Sequence, residues 1–552
     1  MRTSHALFSC LAWIVSYSAF ASTPKPLPNQ VIRIGNGSEP KDLDPAIITG
    51  LTEAHILDNL FEGLTGVDPF TQKVIPGVAE SWEVSKDQKT YTFHMRKNAK
   101  WSDGKTMEAN DFVYSWERVL NPKTASEYAY QLHYIKGAED YNKGVLKDFT
   151  QVGVKALDAH TLSVELHHPT AFFLHLTAFH TLFPTPGHVI SKLKDEAQWT
   201  RPEHMVSNGP FQLAGWELNK EIKLVKNPNY WDAAKVQLGE SYFLPIENVE
   251  TEEKTFFSGG LDYTASVPTT KIPKYNKEKT ANPGVYHPYQ VNPVLGTYYY
   301  HFNTEKKPTD DARVRKALSL AIDRKAIVER ITRGGQLPAS FFTPANTGGY
   351  TYDGPTPLPQ AAPSPEDITL AKKLLAEAGY PEGRGMPTVQ ILYNTNEAHK
   401  KIALAIQDMW EKNLGVQTEL FNQEWKVYLD TMKNGAFTVA RGGWNGDYAD
   451  PNTFLDLFVT GGGNNRSRWS NKTYDAYIDE AGMTTDQSKR FELFKKAEAL
   501  LLEELPMMPI YIYTKTNLIS QKIKMLREDG SLTPWVANPS DRIQLKYYVL
   551  AE

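Results

Sequence analysis

Residues 388–441 read TVQILYNTNEAHKKIALAIQDMWEKNLGVQTELFNQEWKVYLDTMKNGAFTVAR, and their patterning decides the fold class. Thr388–Tyr393 is a short apolar run of strand type. From about Glu397 to Leu414, Ile402, Ala405, Ile406, Met409 and Trp410 recur at helical spacing, and Gly415 ends that helix. Val416–Leu420 reads as a second strand, Trp425–Lys433 as a second helix and Phe437–Arg441 as a third strand. Strands alternating with helices predict a parallel α/β sheet with right-handed crossovers. Such sheets take ligands beyond the carboxyl ends of their strands, where RGGWNGDY (441–448) falls.

Upstream, Ser364 caps a helix that has Pro365 in its first turn and Asp367 three residues after the cap. Leu370, Leu374, Leu375 and Ala378 form its predicted apolar stripe, and Gly379 stops it. A loop rich in Gly, Pro and Thr, 344–365, precedes it. The first half is patterned differently. Lys89–Met95 alternates as a half-buried strand, Trp101–Gly104 is a turn, Asn110–Val119 is helical with Asn110 as its cap, and Val154–Leu166 reads as a hairpin. This half is α+β. No repeat of 20–50 residues is visible.

At 552 residues the chain has room for roughly three or four domains. Lys and Arg total 60 against 64 Asp and Glu, so the basic excess of a nucleic-acid binder is missing. The one cysteine, Cys10, excludes an intrachain disulfide and any Cys-rich metal site. It lies in MRTSHALFSCLAWIVSYSAFA (1–21), where an early Arg, an apolar run and Ala19-Phe20-Ala21 predict a cleavable signal peptide cut after Ala21. That run is too short and Ser-interrupted for a comfortable membrane span, and no later stretch is long and apolar enough. The expected product is a secreted, bacterial-type protein, not membrane-inserted, with a mobile Pro-rich leader over 22–30.

Catalytic motifs are lacking. Gly104-Lys105-Thr106 imitates the end of a phosphate loop, but Ala99 stands where its first glycine belongs. No G-x-S-x-G elbow occurs. His167, His168, His175, His180 and His188 crowd one region without metal-motif spacing, so surface and satisfied core histidines are the better reading. Asp310-Asp311 suits a helix start. No enzyme activity, metal or cofactor is expected.

Residues 76–118, PGVAESWEVSKDQKTYTFHMRKNAKWSDGKTMEANDFVYSWER, resemble the signature stretch of bacterial peptide-binding proteins that serve ABC transporters, the oligopeptide-binding type of extracellular solute-binding family 5. Similar matches fall at 59–64, 297–300, 313–318, 371–380, 422–426, 441–454 and 509–513, the later ones pointing to the oligopeptide and murein-peptide branch. The resemblance implies a two-lobed α/β periplasmic-binding-protein fold with an α+β domain inserted in the first lobe. Lobe I would take 22–61, 188–295 and 515–552, the insert 62–187, and lobe II 296–514.

Residue by residue, it implies that Asp447 pairs with a peptide α-ammonium and Tyr128 reaches the peptide backbone. Gly443, Trp444 and Asn445 would form a strand-like segment bonding the ligand main chain, with Trp444 lining a side-chain pocket. Tyr513 is a further pocket tyrosine, and Thr49 and Leu51 offer backbone contacts. Alone, Trp444 would more often be core, Asp447 a turn residue and Arg441 a structural ion pair; the joint match reverses this. Relatives often carry a cysteine pair where this chain has Gly296 and Asn445. Basic groups that relatives direct at the ligand's carboxyl end are Met432 and Thr332 here, which leaves Arg441 and an expectation that the amine end dominates binding. The implied function is a monomeric periplasmic receptor that delivers short peptides to an inner-membrane ABC permease. A murein-peptide, haem or other modified-solute receptor is the alternative within the class. A periplasmic peptide-holding chaperone or a secreted hydrolase are the alternatives outside it.

Overall fold

A computed structural model describes residues 24–359 and 361–552; the signal-peptide reading and Cys10 lie outside the described residues. The βαβαβ run folds as its pattern predicts, with one change of context. Val389–Asn394 pairs in parallel with Thr418–Gln423 on one side and Val439–Asn445 on the other. The sheet then continues antiparallel through Tyr289–Phe302, Met507–Leu518 and Leu337–Pro338. It is therefore a mixed six-stranded sheet and not a purely parallel one, because strands distant in sequence complete it. The third strand begins at Val439 and runs on to Asn445, since register with Gly296–Phe302 carries it past Arg441. The second is shifted to Thr418–Gln423.

The helices follow their local signals. Asp367 N donates to Ser364 Oγ (3.1 Å) and Ser364 N to Asp367 Oδ2 (2.8 Å), closing the capping box of Pro365–Glu377. Leu370, expected in that helix's buried stripe, is 40% exposed; Ala371 and Leu375 are buried instead. Glu397–Leu414 is capped by Asn396 and ended by Gly415 at φ 72°, a left-handed position. It buries Ile402, Ile406 and Trp410 against Val389, Ile391 and Val439. In the first half the helix starts at Ala109, not Asn110. Its cap is Glu108, whose N–H donates to Asp111 Oδ2 (2.9 Å), so the carboxylate at the third helical position displaces the expected Asn cap.

A four-stranded sheet joins Val31–Gly35, Glu240–Leu244, Glu221–Lys226 and Phe211–Glu217, and another joins Ala79–Val84, Thr90–Met95, Thr161–Glu165 and Val154–Asp158. One continuous hydrophobic core links the two, running from Ile32 and Leu57 through Trp116 and Leu162 to Trp199 and Leu545. The leader is not loose over 24–30: Leu27 N donates to Leu550 O (2.7 Å), as does Gln30 Nε2 (2.7 Å).

Two long strands connect the halves. Tyr289–Pro293 pairs with Thr514–Leu518, and Thr297–His301 pairs with Met507–Ile512, with a break in register between them. Tyr289 and Leu518 pack on Val267, Ile272 and Tyr275. Tyr298, Tyr300, Ile510 and Tyr511 pack in the second half's core. Among the described residues no helix is long and apolar enough to cross a membrane.

Candidate functional site

The strand Val439–Asn445 is central at its start and becomes an edge. Beside Val389–Asn394 it is paired only at Val439 and Ala440. Its other side stays paired with Gly296–Phe302 throughout. The bonds Asn303 N to Thr438 O (2.9 Å) and Gly446 N to Leu295 O (2.7 Å) set the phase of that ladder. In an antiparallel pair hydrogen-bonded residues alternate, so Arg441, Gly443 and Asn445 turn their main-chain groups to the unpaired side. The Tyr428 hydroxyl donates to Arg441 O. Gly443 and Asn445 keep a free backbone edge inside the molecule.

That edge faces a cavity of about 240 Å³ between the two halves. All nine residues singled out from the sequence line it: Asp447, Trp444, Gly443, Asn445, Arg441, Tyr128, Tyr513, Thr49 and Leu51. The opposite wall holds the start of the helix Leu51–Leu60, with Thr49 and Leu51. The Tyr128 ring sits 6.1 Å from the Trp444 ring across the gap and edge-on to Phe179 (5.3 Å) and His180 (5.6 Å). The Trp444 indole donates to Thr453 Oγ1 (3.4 Å).

Two ionisable side chains in the cavity lack an ionic partner among the described residues. Asp447 accepts from Gln131 Nε2 (3.0 Å) and has no cation within ion-pair distance among the described residues. Burial raises its pKa well above the usual carboxylate value, only partly offset by hydrogen bonds from Gln131 and Thr453. Arg441 donates from Nη2 to the Tyr513 hydroxyl (2.6 Å), and its guanidinium lies 4.9 Å from the Tyr298 ring centroid. It has no carboxylate within 4.0 Å among the described residues, and its buried Nε is unpartnered. Gly443 permits this arrangement: a Cβ there would stand 2.5 Å from Tyr513 Oη and 2.9 Å from Arg441 Nη2.

The other ionisable walls are neutral or paired. Arg542 is bound to Asp58 at 2.5 and 3.0 Å. Burial pushes His180 down to about 3, and burial with nearby Lys515 pushes His55 down to about 4, so both imidazoles are uncharged at neutral pH.

The halves touch around this cavity. Beyond Gln131–Asp447, the Trp425 indole donates to Glu53 Oε1 (3.2 Å), Lys41 pairs with Asp430 (2.5 Å), and Arg466 pairs with Glu127.

The sequence matches a known family model. Residues 73–466 fit the bacterial extracellular solute-binding proteins, family 5. The chain belongs to that family. The periplasmic oligopeptide-binding protein OppA of Salmonella typhimurium is 39% identical over 525 residues, covering 94% of this chain and 92% of that one. The crystal structure of Haemophilus influenzae OppA in complex with RPPGFSPFR superposes with a TM-score of 0.87 at 34% identity, covering 96% and 100% of the two chains. The murein tripeptide-binding protein MppA in its unliganded open form covers 96% and 99% at 38% identity, but with a TM-score of 0.64. Identity is higher and superposition poorer against the open form, so this family 5 protein is seen with its lobes closed.

Several lining residues were not read from the sequence: His55, Asp58, Phe179, Trp425, Ser540 and Arg542. Trp425 lay within a matched motif, whereas Ser540 and Arg542 sit in a C-terminal loop without periodicity. Two positions read as lost basic groups do not line the cavity. Met432 is buried with Leu392, Tyr428, Phe437 and Ala440, and Thr332 turns its hydroxyl to Gln336 Oε1 (2.9 Å). Gly296 and Asn445 are direct cross-strand partners, and a Cβ on Gly296 would lie 2.4 Å from Asn445 Oδ1.

Proposed function

We propose that this solute-binding protein captures short peptides in the periplasm, closes on them and presents them to an inner-membrane ABC permease. The carrying observation is the half-unpaired edge Gly443–Asn445 lining the cleft, with an acid that has no ionic partner, Asp447, past one end and a cation that has none, Arg441, at the other. An extended peptide adds as a strand to such an edge, and its main-chain bonds do not read side chains. Its α-ammonium answers Asp447 and its carboxylate answers Arg441 through a bidentate contact. Both Trp444 and Tyr128 wall the space left for side chains, with Tyr513 beside Arg441 and Thr49 and Leu51 offering the opposite backbone.

From Arg441 to Asn445 the strand advances about 13 Å, which suits a peptide of roughly three or four residues. The division into lobe I (22–61, 188–295, 515–552), insert (62–187) and lobe II (296–514) is consistent with the sheets, and the register break at Pro293–Thr297 is the natural hinge. Periplasmic residence after removal of 1–21, a monomeric state and the absence of catalysis complete the reading. Calorimetry with one tripeptide in free, N-acetylated and C-amidated forms tests it. Measurable binding of the free form with loss on acetylation is expected; equal affinity for free and acetylated forms rejects the reading.

A further inference from the structure

A second cavity, of about 360 Å³, lies wholly outside the cleft and shares no lining residue with it. Its walls come from 75–76, Arg96, 230–236, 526–528 and 546–547, and none from 296–514. Lobe closure therefore neither builds nor removes it.

The cavity has a fixed aromatic wall. The buried Glu62 carboxylate accepts from the Tyr230 hydroxyl (2.5 Å) and the Trp231 indole (2.5 Å), and pairs with Lys546 (3.3 Å). One carboxylate thus sets two rings and neutralises one cation. Ile75, Val236 and Leu526 add apolar surface. Asp232 is matched by Lys235 at 3.4 Å.

Two guanidiniums remain. Arg96 lies 3.7 Å over the Trp231 ring and spends only its Nε, on Gly77 O (2.8 Å). Arg527, on an exposed hairpin turn, lies over Phe70 at 4.6 Å. Neither has a carboxylate within 4.0 Å among the described residues. The exposed Glu528 is the one lining acid not paired with a lysine, so the open charge is a net single positive.

We propose that this rear cavity of the first lobe is a second ligand site, for an amphipathic monoanion: a flat apolar body carrying one carboxylate. The body would pack on Trp231, Tyr547 and Leu526, and the carboxylate would bridge Arg96 and Arg527. Stacked arginines keep their in-plane N–H groups free for such an anion. Volume and mixed lining suit a molecule of that size.

The probe is naphthalene-2-carboxylate, titrated calorimetrically into the full mature chain, with naphthalene-2-carboxamide and acetate as controls. One-to-one binding is expected, about tenfold or more weakened for the amide and for acetate, because each lacks one half of the recognition. Arg527→Glu, at an exposed turn, should weaken the carboxylate by at least about tenfold through like-charge repulsion, and Arg96→Gln should weaken it too. Arg441→Met, which removes the cation that the cleft would offer a carboxylate, should leave it unchanged, which places the probe outside the cleft whatever the cleft itself takes. No saturable binding, equal binding of acid and amide, insensitivity to both Arg527→Glu and Arg96→Gln, or loss in Arg441→Met would each overturn the proposal.

Discussion

Asp447 and Arg441 are alike in a way that single residues seldom are: each is a charge enclosed by closure without an ionic partner. Leaving one partner of a buried charged pair unmatched costs about 2–5 kcal/mol. Asp447→Ala should weaken a free tripeptide by that order, and N-acetylation of the ligand should do the same to the unchanged protein. Calorimetry on the two together checks the pairing, since the second change should cost little once the first is made. The sequence suggested that the amine end dominates because Met432 and Thr332 are not basic. Their burial away from the cavity removes them from the balance, and Arg441 stands free to take a carboxylate. For three- or four-residue peptides, C-terminal amidation should therefore cost about as much as Arg441→Met. A peptide too short to reach should be indifferent to both.

At the scale of elements, the proposed recognition rests on the unpaired side of the strand Val439–Asn445 beyond Ala440. Gly443 and Asn445 offer alternate main-chain groups, so N-methylation of a ligand amide facing them should cost about 1–3 kcal/mol by orphaning a buried carbonyl. Methylation of the next amide along should cost less, and an N-methyl scan by calorimetry reads this alternation directly. A flat profile would remove strand addition from the mechanism. A buried acid on the helix Gln487–Glu504 ties the entry to the Gly- and Pro-rich loop after Thr343. Glu498 accepts from Phe342 N (2.9 Å), Thr343 N (2.8 Å) and the Tyr350 hydroxyl (2.8 Å), in a site with no solvent exposure. Glu498→Ala leaves three buried donors unpaired and should destabilise the fold by several kcal/mol, about 1–3 for each, as measured by chemical denaturation.

For the whole molecule, the burial of the Asp447 carboxyl should link closure to pH. An open cleft hydrates this carboxyl and returns it toward its ordinary value near 4, while the closed, empty cleft holds it well above that value through burial. The closed form then binds the proton more tightly. Lowering pH into the window between the two values favours closure without ligand, and raising pH above the closed-state value opposes it. Scattering on stripped protein should show compaction on acidification, and Asp447→Asn should be more compact than wild type at neutral pH. A bound ammonium replaces the proton, so peptide should compact the protein at neutral pH and raise its Tm. Identical scattering across pH and in Asp447→Asn would show that this carboxyl does not govern closure.

Much of the fold follows from local chemistry in the sequence. Ser364 with Asp367, Asn396, and Gly415 define helix ends by bonds or dihedrals that span only a few residues, and the 3.6-residue spacing of Ile402, Ile406 and Trp410 names a buried face. The cavity-lining positions were legible through motif likeness, because Arg441, Gly443, Trp444, Asn445 and Asp447 fall within one matched segment. What only tertiary structure decided is non-local. The sheet became mixed because Tyr289–Phe302 and Met507–Leu518 joined it from far along the chain. Arg542 and Ser540 reached the cavity from a loop with no pattern of its own. Met432 turned into the core although its position suggested a ligand contact. Asp447 is enclosed by elements more than 300 residues away, Gln131 among them; that burial raises its pKa, and the hydrogen bond from Gln131 offsets only part of the rise. Sequence periodicity records which face a residue turns to its own element's core; which other element covers that face, and what it excludes from water, is settled by long-range packing.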